Sequence, residues 1–304
     1  MVMRRALTAL LGCAALTATL ASCAASDNRT QITVVLTSET EIPKELDALQ
    51  ITVTAANGST VYDNVYVVRE PSFFATTLAV IPADEESLKA PFVVEVRGKS
   101  GGNVGVFRRA IVSYVRGRTL LLPMPLRMAC FSFRDCGADS TCAGGTCQKA
   151  LVSSEDLVDY DDRYVFAAND GSCFDEDRCL ESSTPIVVGN DCTFPLPGAV
   201  VGGDRPNANV SIRWAAADNR VIALDHGDGV EGWTVLAADP SRGVISPGVC
   251  RSLLDPETDP AKRDVPDRAL DARISTTCVA KAKTQPPCRR GNNQQSGIGT
   301  ILKR

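Results

Sequence analysis

Between Cys130 and Cys147 the chain reads CFSFRDCGADSTCAGGTC, four cysteines in 18 residues, with glycines at 137, 144 and 145. A run this crowded is held either by a structural metal or by disulfides. Zinc sites supply their ligands in CxxC or HxxxH pairs, whereas the spacing here is C-x5-C-x5-C-x4-C. The only histidine in the chain, His226, lies far from the run. Disulfides are therefore expected, and the run divides a cysteine-free stretch, 31–127, from a half that carries six more cysteines.

At 304 residues the chain suits two domains with additional segments. An apolar content of 44% and a charged content of 22% are those of a globular protein. The formal net charge is -4, and loss of residues 1–22 with Arg4 and Arg5 takes it to -6. That balance offers no basic face for nucleic acid.

The first residues specify the compartment. Met1 to Arg5 form a short positive region, and Ala6 to Leu20 an apolar one, followed by Leu20-Ala21-Ser22-Cys23. This is the layout of a secretory signal peptide. The tetrapeptide resembles the lipobox of bacterial lipoproteins, which implies cleavage after Ser22 and a diacylated Cys23 as the first mature residue. Leu10-Leu11-Gly12-Cys13 also fits the pattern but leaves too short an apolar region behind Arg5. A plain signal peptide cut near Ala24 and an uncleaved anchor are the other readings. The apolar runs after Leu20 are all too short to span a bilayer.

Setting Cys13 and Cys23 aside leaves ten cysteines: Cys130, Cys136, Cys142, Cys147, Cys173, Cys179, Cys192, Cys250, Cys278 and Cys288. An even number in an exported chain implies five disulfides. Spacing alone does not select the pairing, although the short loops Cys173 with Cys179 and Cys278 with Cys288 are attractive. Residues 23–30 form a lipidated tether; from Ala24 to Gln31 the chain reaches at most about 28 Å. In the lipoproteins that the amino terminus resembles, Asp after the lipidated cysteine favours inner-membrane retention. Ala24 stands there instead, so the expected location is the outer membrane or cell surface.

The expected fold is mainly β. Across 31–127 apolar residues alternate: Ile32, Val34, Leu36; Leu49, Ile51, Val53, Ala55; Phe74, Thr76, Leu78, Val80; Phe92, Val94, Val96. Asn57-Gly58 lies between two such runs, a hairpin signal because both turn positions tolerate positive φ. Val104–Val115 and Thr119–Leu126 complete seven short strands, the count of an immunoglobulin-like β-sandwich. Pro123 and Pro125 place the last strand at an edge. Residues 128–150 then read as a small disulfide-rich linker module, a spacer between the halves that needs its crosslinks to hold shape.

Residues 151–192 read as an acidic, solvated loop region. Its carboxylates are dense enough for calcium, but Asp159-x-Asp161-x-Arg163 and Tyr164 break the EF-hand template. No cofactor is expected, and calcium is the only metal the composition suggests. A second, antiparallel β domain, sandwich or jelly-roll-like, is expected over 193–288. One strand face there carries Val210, Ile212 and Trp214, another Leu270, Ala272 and Ile274, with a turn at Asp218-Asn219 and a short helix at Pro247–Leu254. Residues 289–304 read as a flexible polar tail.

Catalytic signatures are sparse. Gly227 to Gly232 matches G-x-G-x-x-G, but Trp233-Thr234-Val235-Leu236 reads as a strand, not the helix a dinucleotide site requires. His226, beside Asp225 and Asp228, is the one imidazole base, with Ser246 the nearest serine in a turn. Two classes of function follow. The first is a non-catalytic, surface-anchored lipoprotein with a binding, adhesion or envelope-structural role, its partner a glycan or an envelope protein. The second is a secreted carboxylate-dependent hydrolase such as a glycosidase. For the first, the ligand-binding residues to examine are Trp214, Asp225, Asp228 and Trp233, an aromatic pair beside an acidic Gly-rich loop that suits sugar stacking and hydroxyl recognition; for the second, the candidates are the carboxylates of the 155–177 loop or the 225–231 loop.

Overall fold

The computed structural model describes residues 29–301 apart from 132, 134, 166–172, 198–205, 216–219, 255–268, 284, 286–287 and 289–295. The signal segment, Cys23, the tether up to residue 28, the Asp218-Asn219 turn and Asp170 lie outside the described residues. The chain is mainly β, in several sheets tied by disulfides.

Strands β1 (Gln31–Ser38), β2 (Ala48–Thr54), β3 (Thr60–Val67), β4 (Thr76–Val80), β5 (Phe92–Ser100), β6 (Asn103–Val112) and β7 (Thr119–Leu126) fall where the alternation places them. The cysteine run forms the hairpin β8 (Ser140–Ala143) and β9 (Thr146–Lys149). Helix α1 (Glu176–Leu180) precedes β10 (Thr184–Ile186), β11 (Thr193–Pro195) and β12 (Asn209–Trp214). Next come β13 (Val221–Ala223), β14 (Trp233–Val235), β15 (Arg242–Ile245) and helix α2 (Pro247–Leu254), then β16 (Ala269–Ser275) and β17 (Ser296–Ile301).

Two sheets, ordered β17-β4-β1-β7 and β3-β2-β5-β6, line the first core. Ile32, Val34 and Leu36 of one meet Leu49, Ile51, Val53, Val94 and Val96 of the other in a single buried cluster. Period-two alternation sends every second side chain of these strands inward. β7 is an edge of its sheet, as its prolines require, and pairs in parallel with β1. The second core lies between β10-β16-β12-β13 and β11-β15-β14, both antiparallel. Leu270 departs from the expected face. A bulge between Arg213 and Trp214 pairs Trp214 with Ala269, so Ala269 is buried and Leu270 turns outward.

Three expectations on the connecting segments are corrected. The cysteine run is no spacer: Cys130 and Cys142 belong to the first core, while the adjacent Met128 and Ala129 belong to the second. The 151–192 region is not simply solvated loop. Leu151 bridges to Ile111 on β6, Leu121 donates its N–H to Val158 O, and Tyr160 donates to Thr119 O, so this segment straps the β6 and β7 edges. Leu157 is buried in the first core beneath it. The carboxyl-terminal segment is not wholly a loose tail, because β17 pairs in parallel with β4.

The ten later cysteines form five disulfides. In the hairpin Cys130 joins Cys142 and Cys136 joins Cys147. The short loops suggested by spacing are not used: Cys173 joins Cys288 and Cys179 joins Cys278, across 115 and 99 residues, and Cys192 joins Cys250. The physical reason is that α1 sits over β12, β13 and β16, so the crosslinks follow packing and not proximity along the chain. With Cys179–Cys278 intact, Cys173–Cys288 closes only a short ring; Cys192–Cys250 closes the longest remaining loop, for which loop-closure entropy assigns about 4 kcal/mol, against about 3 kcal/mol for Cys136–Cys147. Replacing both cysteines of a pair by Ala should therefore lower the urea-unfolding free energy more for Cys192–Cys250 than for Cys136–Cys147; the reverse order would contradict this.

Candidate functional site: a buried charge cluster at the Asp225–Glu231 loop

The Gly-rich loop after β13 is the acidic element singled out above. Backbone bonds close it: Gly227 donates to Trp233 O, Gly232 to Asp228 O and Trp233 to Asp225 O. Gly227 has φ +81°, and a Cβ on Gly232 would lie 2.0 Å from Asp225 O, so both glycines are required by the turn. A strand, β14, follows. The G-x-G-x-x-G match thus forms a tight loop with no helix to present to a pyrophosphate.

The loop folds inward. Asp225 is 1% exposed, and its carboxylate is held from both sides by the Arg127 guanidinium and the Lys281 ammonium. Arg127 stands directly after β7 and also binds Glu39 at 2.5 Å. Glu39 stands directly after β1, and its other oxygen accepts the Met128 N–H at 2.9 Å. The parallel pairing that sets Ser38 beside Leu126 brings Glu39 and Arg127 together one residue later. Burial opposes the Arg127 charge, but Asp225, Glu39 and Glu231 outweigh it and hold the guanidinium firmly protonated.

At the other end of the loop Glu231 accepts two hydrogen bonds from Arg108 of β6, at 2.6 and 3.0 Å. The same guanidinium donates to Cys142 O at 2.9 Å. Asp228 accepts the N–H groups of Val230 and Glu231 and pairs with Lys283 at 3.1 Å. Its burial would raise its carboxyl, yet those bonds and Lys283 hold it below the ordinary range. Glu176, in the first turn of α1, is within the field of the same cluster. Desolvation pushes its carboxyl up, Glu39 adds to this, and Lys281, Arg220 and a backbone bond from Ala223 pull the other way.

The Gly144-Gly145 turn of the hairpin wedges against this loop. A Cβ on Gly144 would meet Val230 O at 2.0 Å, and one on Gly248, at the start of α2, would meet Gly144 O at 1.7 Å. Three backbones therefore approach one another with no room for side chains.

The structure gathers two of the four proposed ligand-binding residues, Asp225 and Asp228, into this loop, but not as a sugar site. Trp214 and Trp233 are 2% and 0% exposed and belong to the second core, where Trp233 packs against Phe194 and His226. Neither ring offers a face to a ligand, because both complete the packing between sheets. Ser246 is buried, and its hydroxyl has no hydrogen-bond partner among the described residues, so no imidazole engages it. Among the described residues no group of His, Cys, Asp and Glu is arranged to hold a metal ion. No helix among them is long and apolar enough to cross a membrane.

Sequence reading missed Glu39, Arg108, Arg127, Lys281 and Lys283. Their partners lie far along the chain, and the only local signal is a charge placed immediately after an apolar strand, as at Glu39 and Arg127. Comparison with protein-family models, with curated proteins and with solved structures finds no match.

Both oxygens of the Asp225 carboxylate are engaged by cations, so neither is turned toward a ligand. The cluster joins elements of the two cores. Removing one partner of a buried ion pair typically costs about 3–5 kcal/mol. Asp225→Asn should cost that much in chemical unfolding, more than Arg116→Ala, which breaks an exposed pair with Glu85. Glu176 provides the pH test. Its folded-state carboxyl is raised, so its contribution is favourable below the unfolded value of about 4.3 and is lost as pH rises through the folded value. Glu176→Gln should accordingly raise stability at pH 7 and leave it unchanged in acid; equal effects at both pH values would contradict the assignment.

Proposed function

We propose that this chain is a non-catalytic, lipid-anchored protein of the cell envelope, held at the outer membrane or cell surface by Cys23, with a binding or scaffolding role toward an envelope partner. The observation that carries the reading is the coincidence of a lipobox-like Leu20-Ala21-Ser22-Cys23 with complete pairing of the ten later cysteines. Disulfides on this scale persist in oxidising compartments. The tether from Ala24 keeps the first pair of sheets within about 28 Å of the lipid.

The charge cluster supports the non-catalytic side of the proposal. Asp225, Asp228 and Glu231, which a carboxylate-dependent hydrolase would require as acid or base, are each neutralised by a basic side chain. With both tryptophans in the core, an envelope protein is a better-supported partner than a stacked sugar.

Replacing Cys23 by Ser should move the exported protein from the membrane fraction to the soluble one, or arrest its processing. Mature protein that remains membrane-bound in the Cys23→Ser variant would overturn the anchor. Thiol titration of the unfolded, unreduced protein should detect none of the ten later cysteines.

A further inference from the structure

Lys281 is the one buried lysine among the described residues, and its ammonium meets Oδ1 of the equally buried Asp225. Two charges taken this fully out of water carry a desolvation cost that their mutual attraction only partly offsets. A lysine amine in a desolvated site is also the form that attacks a carbonyl carbon.

The backbone holds the two side chains next to each other. His226 and Ala282 form a parallel bridge, and His226 N–H donates to Lys281 O at 2.7 Å. Asp225 and Lys281 therefore stand one residue before the bridged pair, on adjacent segments. Lys281 N–H donates to the side-chain oxygen of Asn209 at 2.8 Å, and Asn209 donates to Cys278 O at 2.9 Å. Cys278 is in turn crosslinked to Cys179 of α1. Groups fixed in contact by their surroundings react with effective molarities of about 10⁵–10⁸ M. Arg127 completes the arrangement, because its guanidinium holds Asp225 Oδ2, the oxygen that Lys281 does not contact. A donor fixed there stabilises the negative charge that this oxygen takes up when the carboxyl carbon is attacked.

We propose that Lys281 and Asp225 condense to an amide, an isopeptide crosslink between the 225–231 loop and the segment after Cys278. The ammonium gives one proton to Oδ1, and the freed Nζ lone pair attacks Asp225 Cγ, placing negative charge on Oδ2 beside Arg127. A second Nζ proton then passes to Oδ1, the Cγ–Oδ1 bond breaks, and Oδ1 leaves as water. One C–N bond forms, one C–O bond breaks, and no co-reactant is consumed. The two buried charges disappear together, and Arg127 keeps Glu39 at 2.5 Å as its matched partner. Exclusion of water from the site protects the product from hydrolysis. Lys283 and Asp228 pair at 3.1 Å close by, but Lys283 is 60% exposed, so its ammonium stays hydrated and that pair stays ionic.

The test is peptide mapping of the full protein purified from whole cells, reduced, alkylated and digested with trypsin under denaturing conditions. Acylated Lys281 resists trypsin, so the expected product is a branched peptide joining residues 221–242 to residues 274–283, with their summed mass less one water. Lys281→Arg keeps a cation against Asp225 but has no amine to acylate. It should give the linear 221–242 peptide, with circular dichroism unchanged, whereas Lys283→Arg should keep the branched peptide. Should Lys281→Arg fail to fold, the peptide map of the parent chain decides. Linear 221–242 and 274–281 alone, a branch at Lys283, or a water loss confined to 221–242, the mark of a cyclic imide at Asp225, would overturn the proposal.

Discussion

The ion pair between Arg127 and Asp225 is the contact on which the two halves depend. Arg127 belongs to the strand end of the first core and Asp225 to a loop of the second; Asp225 is buried and Arg127 partly so, its side chain 16% exposed. Taking such charges out of water is costly, and an apolar pair of equal volume would often hold as well. What the charges add is direction. Arg127 has one geometry that satisfies Glu39 and Asp225 together, and Asp225 one that also receives Lys281. An apolar join could slide; this one fixes the relative placement of β1, β7 and the 225–231 loop.

Around that contact the packing leaves little slack. The Gly144-Gly145 turn meets both the loop and the start of α2 at backbone distance, and Arg108 closes the far side through Glu231 and Cys142 O. The Cys130–Cys142 disulfide holds the hairpin that presents this turn. Crosslink, glycine turn and ion pairs therefore support the same join, and each constrains the groups the others need. A short cysteine-rich segment lacks the surface to form a core of its own. Here it escapes that limit by contributing Cys130 and Cys142 to one core and bordering residues of the other.

Much of the first core was legible in the sequence, because alternation is a local property. Leu49, Ile51 and Val53 are buried as their spacing requires, and Asn57-Gly58 turns with Gly58 at φ +80°. Leu270 shows where the same logic fails: a bulge shifts the phase by one residue, and no local pattern announces it. The disulfides were legible in number but not in partner, since Cys179 meets Cys278 only after α1 has packed on its sheet. The site was legible by half. Asp225 and Asp228 stood out as acids in a Gly-rich loop, but their meaning depends on Arg127, Lys281 and Lys283. Apart from those distant cations, a buried lock and an acidic binding loop have the same local sequence.

The tryptophans carry the lesson furthest. In sequence Trp233 follows an acidic glycine loop, the setting of many aromatic ligand platforms, yet its ring completes the second core against Phe194. A loop that folds inward to reach Arg127 draws the strand after it inward as well, so the burial of Asp225 and that of Trp233 are one event. The backbone bond from Trp233 N–H to Asp225 O is the physical link between them. It follows that the loop cannot expose its carboxylates to a ligand while keeping the core closed. On the proposed binding role, the surface used is one that the lock leaves outside.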